Sequence, residues 1–323
     1  MMKRVFPLLI ALLISAVTLG ALISLPASEW SGWRPATCLP RGCFCELPNH
    51  TSPIRQRANT LSSLGYIFSG TLAIAGYART FTLFDRSAMA AILLPMGRVS
   101  GDVTVAGNTF NQSASGFGDP MLEFNLNILG PKAQKNIPDA LRYEPGFSVD
   151  VLADLALPIG EYDSDQPLNL GQNRWYGRLG MPVVWQLGEW VPGRRTTLEF
   201  LPAVWLFGNN TDYLGQTLET DPMFQLDAHL TRDFTERFWG SIDASWYSGG
   251  KATINGVAGE KLNNLGVGLT LGYQVNENLN LTFGYKSTVN DSAPGDLKMD
   301  GFMLTLVYGW HPLIEGSRRL KSE

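Results

Sequence analysis

The feature that most constrains this chain is a one-for-one alternation of apolar with small or polar residues along its last three quarters. From Leu265 to Val275 every second residue is Leu, Val or Tyr, and the residues between them are Gly, Thr and Gln. Because successive side chains of a strand point to opposite faces, such a stretch forms a strand with one apolar and one polar face. Its recurrence along the chain predicts an all-β protein.

The alternating segments have the length and spacing of membrane-crossing strands. They cover residues 122–128, 147–157, 174–186, 224–231, 238–246, 265–275, 279–286 and 302–310, with weaker segments over 70–84, 87–98 and 196–208. This makes about eleven strands, each close to the ~9–11 residues that a tilted strand needs to cross a bilayer. Longer loops are predicted over residues 99–116, 159–172 and 208–220, as in barrels with short turns at one end and long loops at the other.

Both a soluble sandwich and a transmembrane barrel would give this alternation. Charged residues fall on the polar face, where a dry core would hold them only as pairs but a wet lumen holds them at little cost. Aromatic residues near strand ends fit an interfacial girdle; they are Trp175, Trp185, Trp239, Trp246, Tyr308 and Trp310. We therefore predict an antiparallel transmembrane β-barrel of about 11–12 strands, preceded by an N-terminal hydrophobic helix.

The polar face supplies the candidate site residues. Those predicted to line the lumen are Glu123, Asp150, Asp154, Arg174, Arg178, Asp227, His229, Asp243 and Lys286. Asp150 and Asp154 share a strand face, which also suits acid–base chemistry or cation binding, but we favour lumen electrostatics. Arg174 and Arg178 fit either anion selection or structural salt bridges across the lumen. His229 has no partner at metal-ligand spacing, so we expect it to form a hydrogen bond in the lumen. The sequence predicts no catalytic residue, no metal and no cofactor.

The N-terminus carries a targeting or anchoring segment. Lys3 and Arg4 precede an apolar run over residues 5–25. The run fits a cleaved signal peptide and is also long enough to span a bilayer, so cleavage and anchoring in the inner membrane both stay open. Either one sends the chain to the bacterial envelope. The three Cys, at 38, 43 and 45, match no zinc-site spacing, and a net charge of −4 argues against a nucleic-acid partner.

The barrel part of the chain resembles the outer-membrane transporters linked to the meta-pathway of phenol degradation. The matching stretches are YARTFTLFDRSA (77–88), LLPMGRVSG (93–101), SGFGDPMLEFNLNILG (115–130), LALPIGEYD (155–163), LNLGQNRW (168–175), DPMFQLDAHL (221–230) and SIDASWYSGG (241–250). They are collinear over residues 77–311. The resemblance implies a non-enzymatic channel that passes small hydrophobic or aromatic compounds by diffusion. Its implied partners are those solutes, membrane lipids and the outer-membrane assembly machinery.

A second resemblance covers only residues 1–70. ATCLPRGCFCELP and IRQRANTLSSLGYI (54–67) are similar to the start of bacterial alkaline-ceramidase-like membrane hydrolases. That resemblance implies vestigial metal positions, calcium at Glu46 and Asn59 and zinc at Ser62, but the histidines and helices that complete the zinc site are missing from this sequence. A ceramidase-like amide hydrolase fragment and a non-conducting structural envelope barrel remain as alternative functions.

The two resemblances meet at residues 65–77, which predicts a fused chain. The predicted division is a signal or anchor over 1–27, a Cys-containing fragment or linker over 28–69, the barrel over 70–311 and a polar tail over 312–323. Closed barrels usually have an even number of strands. Either residues 57–69 supply a twelfth strand, or the barrel keeps an open edge that is costly in lipid.

Overall fold

The computed structural model describes residues 14–15, 65–105, 108–133, 144–276, 278–290 and 300–309. Side chains are described for residues 70–101, 111–133, 144–276, 278–290 and 300–309. All regular secondary structure in these residues is β-strand, as the alternation predicts. Within the same ranges there is no helix of sufficient length and apolar character to cross a membrane.

The strands follow one another with little other regular structure. They are β1 (Ile14–Ser15), β2 (Gly65–Leu83), β3 (Arg86–Val105), β4 (Asn108–Phe117), β5 (Met121–Leu129), β6 (Phe147–Ala156), β7 (Tyr176–Gly180), β8 (Val183–Gln186), β9 (Thr196–Phe207), β10 (Asn210–Tyr213), β11 (Gln216–Thr220), β12 (Met223–Asp233), β13 (Phe238–Gly249), β14 (Ala252–Ile254), β15 (Val257–Ala258), β16 (Leu262–Gln274), β17 (Leu279–Thr288) and β18 (Asp300–Tyr308).

Fourteen of these strands form one antiparallel sheet. Its order is β1-β18-β17-β16-β13-β12-β9-β7-β6-β5-β3-β2, which gives twelve strand positions. β4 and β5 follow one another along the same side of β3 and share one strand position. β7 and β8 likewise share one position between β6 and β9. Two strand lines are therefore interrupted, one at residues 118–120 and the other at residues 181–182.

The connections differ between the two ends of the sheet. The two-residue turn between β2 and β3 has positive φ at Phe84 (50°) and Asp85 (61°), as a type I′ hairpin turn requires. Most connections at the opposite end are longer, and two of them carry a separate four-stranded sheet of β10, β11, β14 and β15. We call the end with the β2–β3 turn the short-turn end, although residues 130–146 also connect strands there, and the opposite end the long-loop end. The loop predicted over residues 99–116 is wrong, because β3 continues to Val105 and pairs with β4 in a long hairpin. In the sequence of β4 both alternating sets are mostly polar or small, so the alternation did not reveal this strand.

The two faces of the main sheet have opposite character. Large apolar side chains stay exposed on one face, among them Leu179 (58%), Ile242 (63%) and Leu269 (59%). The other face is enclosed, and there Gln225 and Asp227 are each 0% exposed. A soluble β-protein buries its apolar face and exposes its polar one. This sheet does the reverse, which is the arrangement of a membrane barrel.

One part of the enclosed face is apolar, which the alternation did not predict. The buried apolar cluster is formed by side chains of β2, β3, β5, β6, β7, β9 and the first residue of β12. Its members are Ile74, Ala78, Met89, Ala91, Leu93, Met121, Leu152, Ala156, Tyr176, Leu201, Ala203, Trp205 and Met223. Over much of β2 and β3 both alternating sets of residues are apolar or small, so the sequence alone does not tell the faces apart. The enclosed face thus has an apolar part, formed by this cluster, and a polar part.

The ends of the main sheet approach each other. β1 is hydrogen-bonded to β18, with Ile14 opposite Leu304, and Cα atoms of β1 come within 8 Å of β2. In the described part of the chain no ladder joins β1 to β2, so continuous pairing does not close the barrel.

The N-terminal helix is not confirmed. Of residues 5–25, only 14–15 are described, and they form a strand. β2 begins at Gly65 and so crosses the predicted boundary between residues 69 and 70. Residues 57–64 lie outside the described ranges, and a twelfth strand supplied by them stays a prediction.

Aromatic residues occupy both ends of the exposed face. Trp175 and Trp246 lie towards the long connections, and Trp185 and Tyr308 towards the opposite end; all four are exposed, as expected of a girdle. Trp239 was wrongly assigned to the girdle. It shares a face with Asp243, and its ring covers Gly272, where a Cβ would lie 1.9 Å from Trp239 Cε2. Gly272 therefore leaves room for this ring. Trp310 lies outside the described residues.

The exposed apolar face can be tested by placing a charge on it. Ile242 lies mid-strand, so Ile242→Arg is expected to lower the free energy of unfolding in phospholipid vesicles by about 2–4 kcal/mol, as for Arg at a bilayer midplane. Val257 is 75% exposed in β15, outside the main sheet. Val257→Arg is the matched control, with an expected change within about 0.5 kcal/mol. Equal effects, measured by denaturant titration, would contradict a lipid-facing surface.

Candidate functional site on the enclosed face

The register of the main sheet aligns polar side chains in rows across the enclosed face. One row joins Glu123, Asp154, Arg178 and Trp205, which lie opposite one another on four neighbouring strands. Arg178 Nε donates to Asp154 Oδ2 at 2.5 Å, and both side chains are fully buried. Of the two roles that the sequence left open for Arg178, the structure shows the salt bridge.

The row continues into a hydrogen-bonded network. The Arg178 guanidinium lies 5.1 Å from the centroid of the Trp205 ring. Trp205 Nε1 donates to Gln225 Oε1 at 2.7 Å, and Gln225 Nε2 donates to Asp227 Oδ2 at 2.5 Å. Tyr247 Oη donates to the other Asp227 oxygen at 3.4 Å. These contacts link polar side chains from β6 to β13, and such a hydrogen-bonded network rigidifies the polar part of the interior.

A second row contains the histidine. His229 lies opposite Glu199 on β9 and opposite Asp243 on β13. His229 Nδ1 and Asp243 Oδ1 are 2.6 Å apart, and Thr270 donates to Asp243 Oδ2 at 2.6 Å. Ser241 donates to the same carboxylate. Asp243 is thus the common acceptor of this group.

Lys286 joins this row across a glycine. Gly268 lies between Asp243 and Lys286 in the register, and a Cβ on Gly268 would lie 2.6 Å from Lys286 Cγ. The missing side chain lets the Lys286 stem lie across Gly268, from where its charge acts on Asp243. Asp150 belongs to neither row. It is half-buried nearer the short-turn end and accepts from Asn127 Nδ2 at 2.7 Å.

Arg174 lies apart from these rows, in the loop of residues 157–175 that joins β6 to β7. It is 3% exposed. Its Nη1 donates to Thr220 Oγ1 at 2.7 Å, and its Nε and Nη2 donate to Gln172 Oε1 at 3.1 and 2.9 Å. Both acceptors are uncharged, and burial lowers the pKa of Arg174 to about 10. Within the described residues, no carboxylate forms an ion pair with it.

The Arg174 loop is fastened to the interruption between β4 and β5. Asp119 Oδ1 accepts from the Gly160 N–H at 2.9 Å, and Asp119 Oδ2 accepts from the Gln172 N–H at 2.7 Å. Burial raises the pKa of the Asp119 carboxyl. Leu168 and Leu170 of the same loop are buried. One carboxylate therefore holds both sides of the loop.

The structure places eight of the nine predicted lumen residues on the enclosed face of the strands, and Arg174 in the loop above them. Glu199, Trp205 and Gln225 are members of the network that the sequence analysis missed. The alternation within residues 196–208 was too weak to assign a face, although it places Glu199 with Leu201 and Trp205. No group of three or more His, Cys, Asp or Glu in the described ranges could hold a metal ion. Glu46, Asn59 and Ser62 lie outside those ranges.

Comparison with known proteins identifies the family. A family profile described as "Putative MetA-pathway of phenol degradation" matches residues 56–306. The match covers well over half of the chain, so the chain belongs to this family. A search of curated proteins finds no match.

Among solved structures, an outer membrane channel is similar in fold. The COG4313 outer membrane channel from Pseudomonas putida F1 has 18% identity and a TM-score of 0.64, with 95% of this chain and 97% of that chain covered. This likeness agrees with the predicted all-β antiparallel fold. The transport unit of the autotransporter AIDA-I from Escherichia coli has 9% identity and a TM-score of 0.46, with 96% of this chain and 93% of that chain covered.

Asp243 should be the most sensitive polar residue of the second row. Asp243→Ala removes the carboxylate that His229, Thr270 and Ser241 share, so the free energy of unfolding should fall by about 3–5 kcal/mol, as when a buried pair is broken. Asp221→Ala removes an exposed partner 3.3 Å from Lys251 Nζ. It should cost no more than about 1 kcal/mol. Similar losses for the two variants in denaturant titrations would contradict the network.

Asp119 should control the opening of the Arg174 loop. Asp119→Ala removes the acceptor of two backbone N–H groups, so the Gly160 and Gln172 amides should exchange hydrogen about tenfold faster or more. Asp212→Ala is the matched control, because Asp212 is exposed and its side chain makes no hydrogen bond among the described residues. Hydrogen exchange read by mass spectrometry would count against the clamp if Asp119→Ala left both amides unchanged.

Proposed function

We propose that this chain forms a channel in the bacterial outer membrane through which small hydrophobic or aromatic compounds diffuse. The observation that carries the proposal is the inverted main sheet, with exposed apolar side chains on one face and enclosed charged side chains on the other. Family membership and the similarity to a protein named as an outer membrane channel support the same conclusion. Inner-membrane anchoring finds no such support.

The composition of the interior supports the solute class. A purely polar lining would favour water-soluble compounds, whereas the apolar cluster with Tyr176 and Trp205 offers ring faces and methyl groups to an apolar solute. The charged rows beside it would face the polar substituent of a phenol. Each of these charged residues has a role in pairing or positioning, and we assign catalysis to none of them. The proposed partners are membrane lipids on the outer face, the solutes inside and the outer-membrane assembly machinery, without nucleic acid.

A non-conducting structural barrel is the second candidate, and one observation favours it. Enclosed side chains such as Trp205 and Met223 are almost fully buried, so the interior is densely filled where they lie. In a channel these side chains must give way to the solute, and in a structural barrel they remain packed. The ceramidase-like alternative gains no support from the described residues.

Solute flux separates the two candidates. Proteoliposomes with the folded full chain should take up phenol and toluene faster than protein-free vesicles, and small sugars more slowly than either. Trp205→Ala should increase this flux, because Trp205 fills the interior. Trp175→Ala is the matched control, since it removes the same ring from the exposed face. If neither the natural chain nor Trp205→Ala conducts any of these solutes, the barrel is structural and the channel proposal fails.

A further inference from the structure

Arg174 is a buried cation that forms no ion pair with a carboxylate among the described residues, although the charge of Asp119 acts on it. A guanidinium has five N–H donors, and among the described residues those of Arg174 reach only Gln172 Oε1 and Thr220 Oγ1. These bonds occupy Nε and one donor on each Nη atom. One further donor remains on each Nη, and a carboxylate is a suitable acceptor for these donors. Burying an unpaired charge is costly, so a retained one is a reason to look for an anionic ligand.

Arg178 shows what a paired arginine looks like nearby. Four residues further along the chain, in β7, it lies on the enclosed face and donates to Asp154 at 2.5 Å. Arg174 is as well buried but faces uncharged partners. Among the described residues, Arg178 therefore has a bonded carboxylate and Arg174 has none.

Aromatic rings fill the space between these two arginines. The Arg174 guanidinium carbon lies 5.0 Å from the centroid of the Phe207 ring. Phe207 stacks on Tyr176 at 6.4 Å between centroids, and Tyr176 lies 6.4 Å from Trp205, which in turn contacts Arg178. We call Arg174, Phe207, Tyr176, Trp205 and Arg178 the arginine–aromatic ladder. It follows the enclosed face from the long-loop end towards the middle of the sheet.

We propose that the outer end of the arginine–aromatic ladder, at Arg174, Phe207 and Tyr176, binds a small aromatic anion. The carboxylate or phenolate of the ligand takes the two remaining donors of Arg174, and its ring lies against Phe207 and Tyr176. An uncharged aromatic compound lacks the ionic contact, and a small aliphatic acid lacks the ring contact. This proposal rests on the proposed channel function and gives that channel a preferred solute class, aromatic rings that carry one negative charge.

The position of Arg174 suits a first binding step. Arg174 lies in the loop that Asp119 fastens. Its hydrogen bond to Thr220 of β11 places it beside the separate four-stranded sheet. A solute arriving from the long-loop end meets Arg174 before it meets the Arg178 pair. The charge of Arg178 is already balanced by Asp154, so the anion is held most strongly at the mouth and more weakly farther in.

Binding to the folded full chain in detergent tests the site. Benzoate is the probe, with acetate and benzyl alcohol as the aliphatic and the uncharged comparisons, and affinity is read by isothermal titration calorimetry. Benzoate should bind at least about tenfold more tightly than either comparison, because a charge-assisted hydrogen bond contributes that much. Arg174→Gln should lower benzoate affinity about tenfold or more. Arg237→Gln, which removes an exposed arginine at the opposite end, should leave it unchanged.

Two further variants protect the test against misfolding. Arg174→Lys keeps the charge but loses the planar fork, so benzoate affinity should be intermediate. Phe207→Leu keeps an apolar side chain but removes the ring, so it should weaken benzoate while leaving acetate unchanged. Gel mobility of unboiled samples verifies that each variant is folded.

The outcomes separate this site from the channel itself. Equal benzoate affinity in the natural chain and in folded Arg174→Gln would overturn the site, and so would a natural chain that does not prefer benzoate to both comparisons. Phenol flux, measured in parallel, reports on the channel alone. Flux without Arg174-dependent benzoate binding keeps the channel and overturns the site, whereas Arg174-dependent binding without flux keeps the site and overturns the channel.

Discussion

The pairing of backbone groups is the constraint on which the rest of this structure depends. A sheet whose apolar face meets lipid finds no water for unpaired N–H and C=O groups, so neighbouring strands must supply their partners. The two interrupted strand lines show how this is met. Gly118 N donates to Pro95 O at 2.9 Å, and Asp150 N donates to Pro182 O at 2.8 Å, so the wall stays bonded where the ladder breaks. Among the described residues, β1 and β2 are the two edge strands of the sheet, and they lie close together without pairing.

The polar interior follows from the same inversion. Once the apolar side chains face outward, the charged ones have only the enclosed face, where they are stable in pairs and hydrogen-bonded rows. Asp154 with Arg178, and Asp243 with His229, meet this requirement across neighbouring strands. Arg174 does not, and this difference, together with the adjacent rings, distinguishes a candidate ligand site from the structural charges.

The sequence predicted the faces wherever one alternating set is clearly apolar and the other clearly polar. Residues 224–231 and 265–275 meet that condition, and the structure exposes and buries them as expected. Residues 70–98 do not, since over much of this stretch both sets are apolar or small, so the apolar part of the interior was missed. The partners of Arg174 and Arg178 were also out of reach, because they depend on strand register and on a loop clamped by Asp119, which no local pattern encodes.

The central claim is that the sheet stands in the outer membrane as a folded barrel with its apolar face in lipid. Membrane fractionation with gels of unboiled and boiled samples tests it most directly. The account predicts a band in the outer-membrane fraction that migrates faster before boiling than after. A band in the inner-membrane fraction, or one whose mobility does not change on boiling, would contradict it.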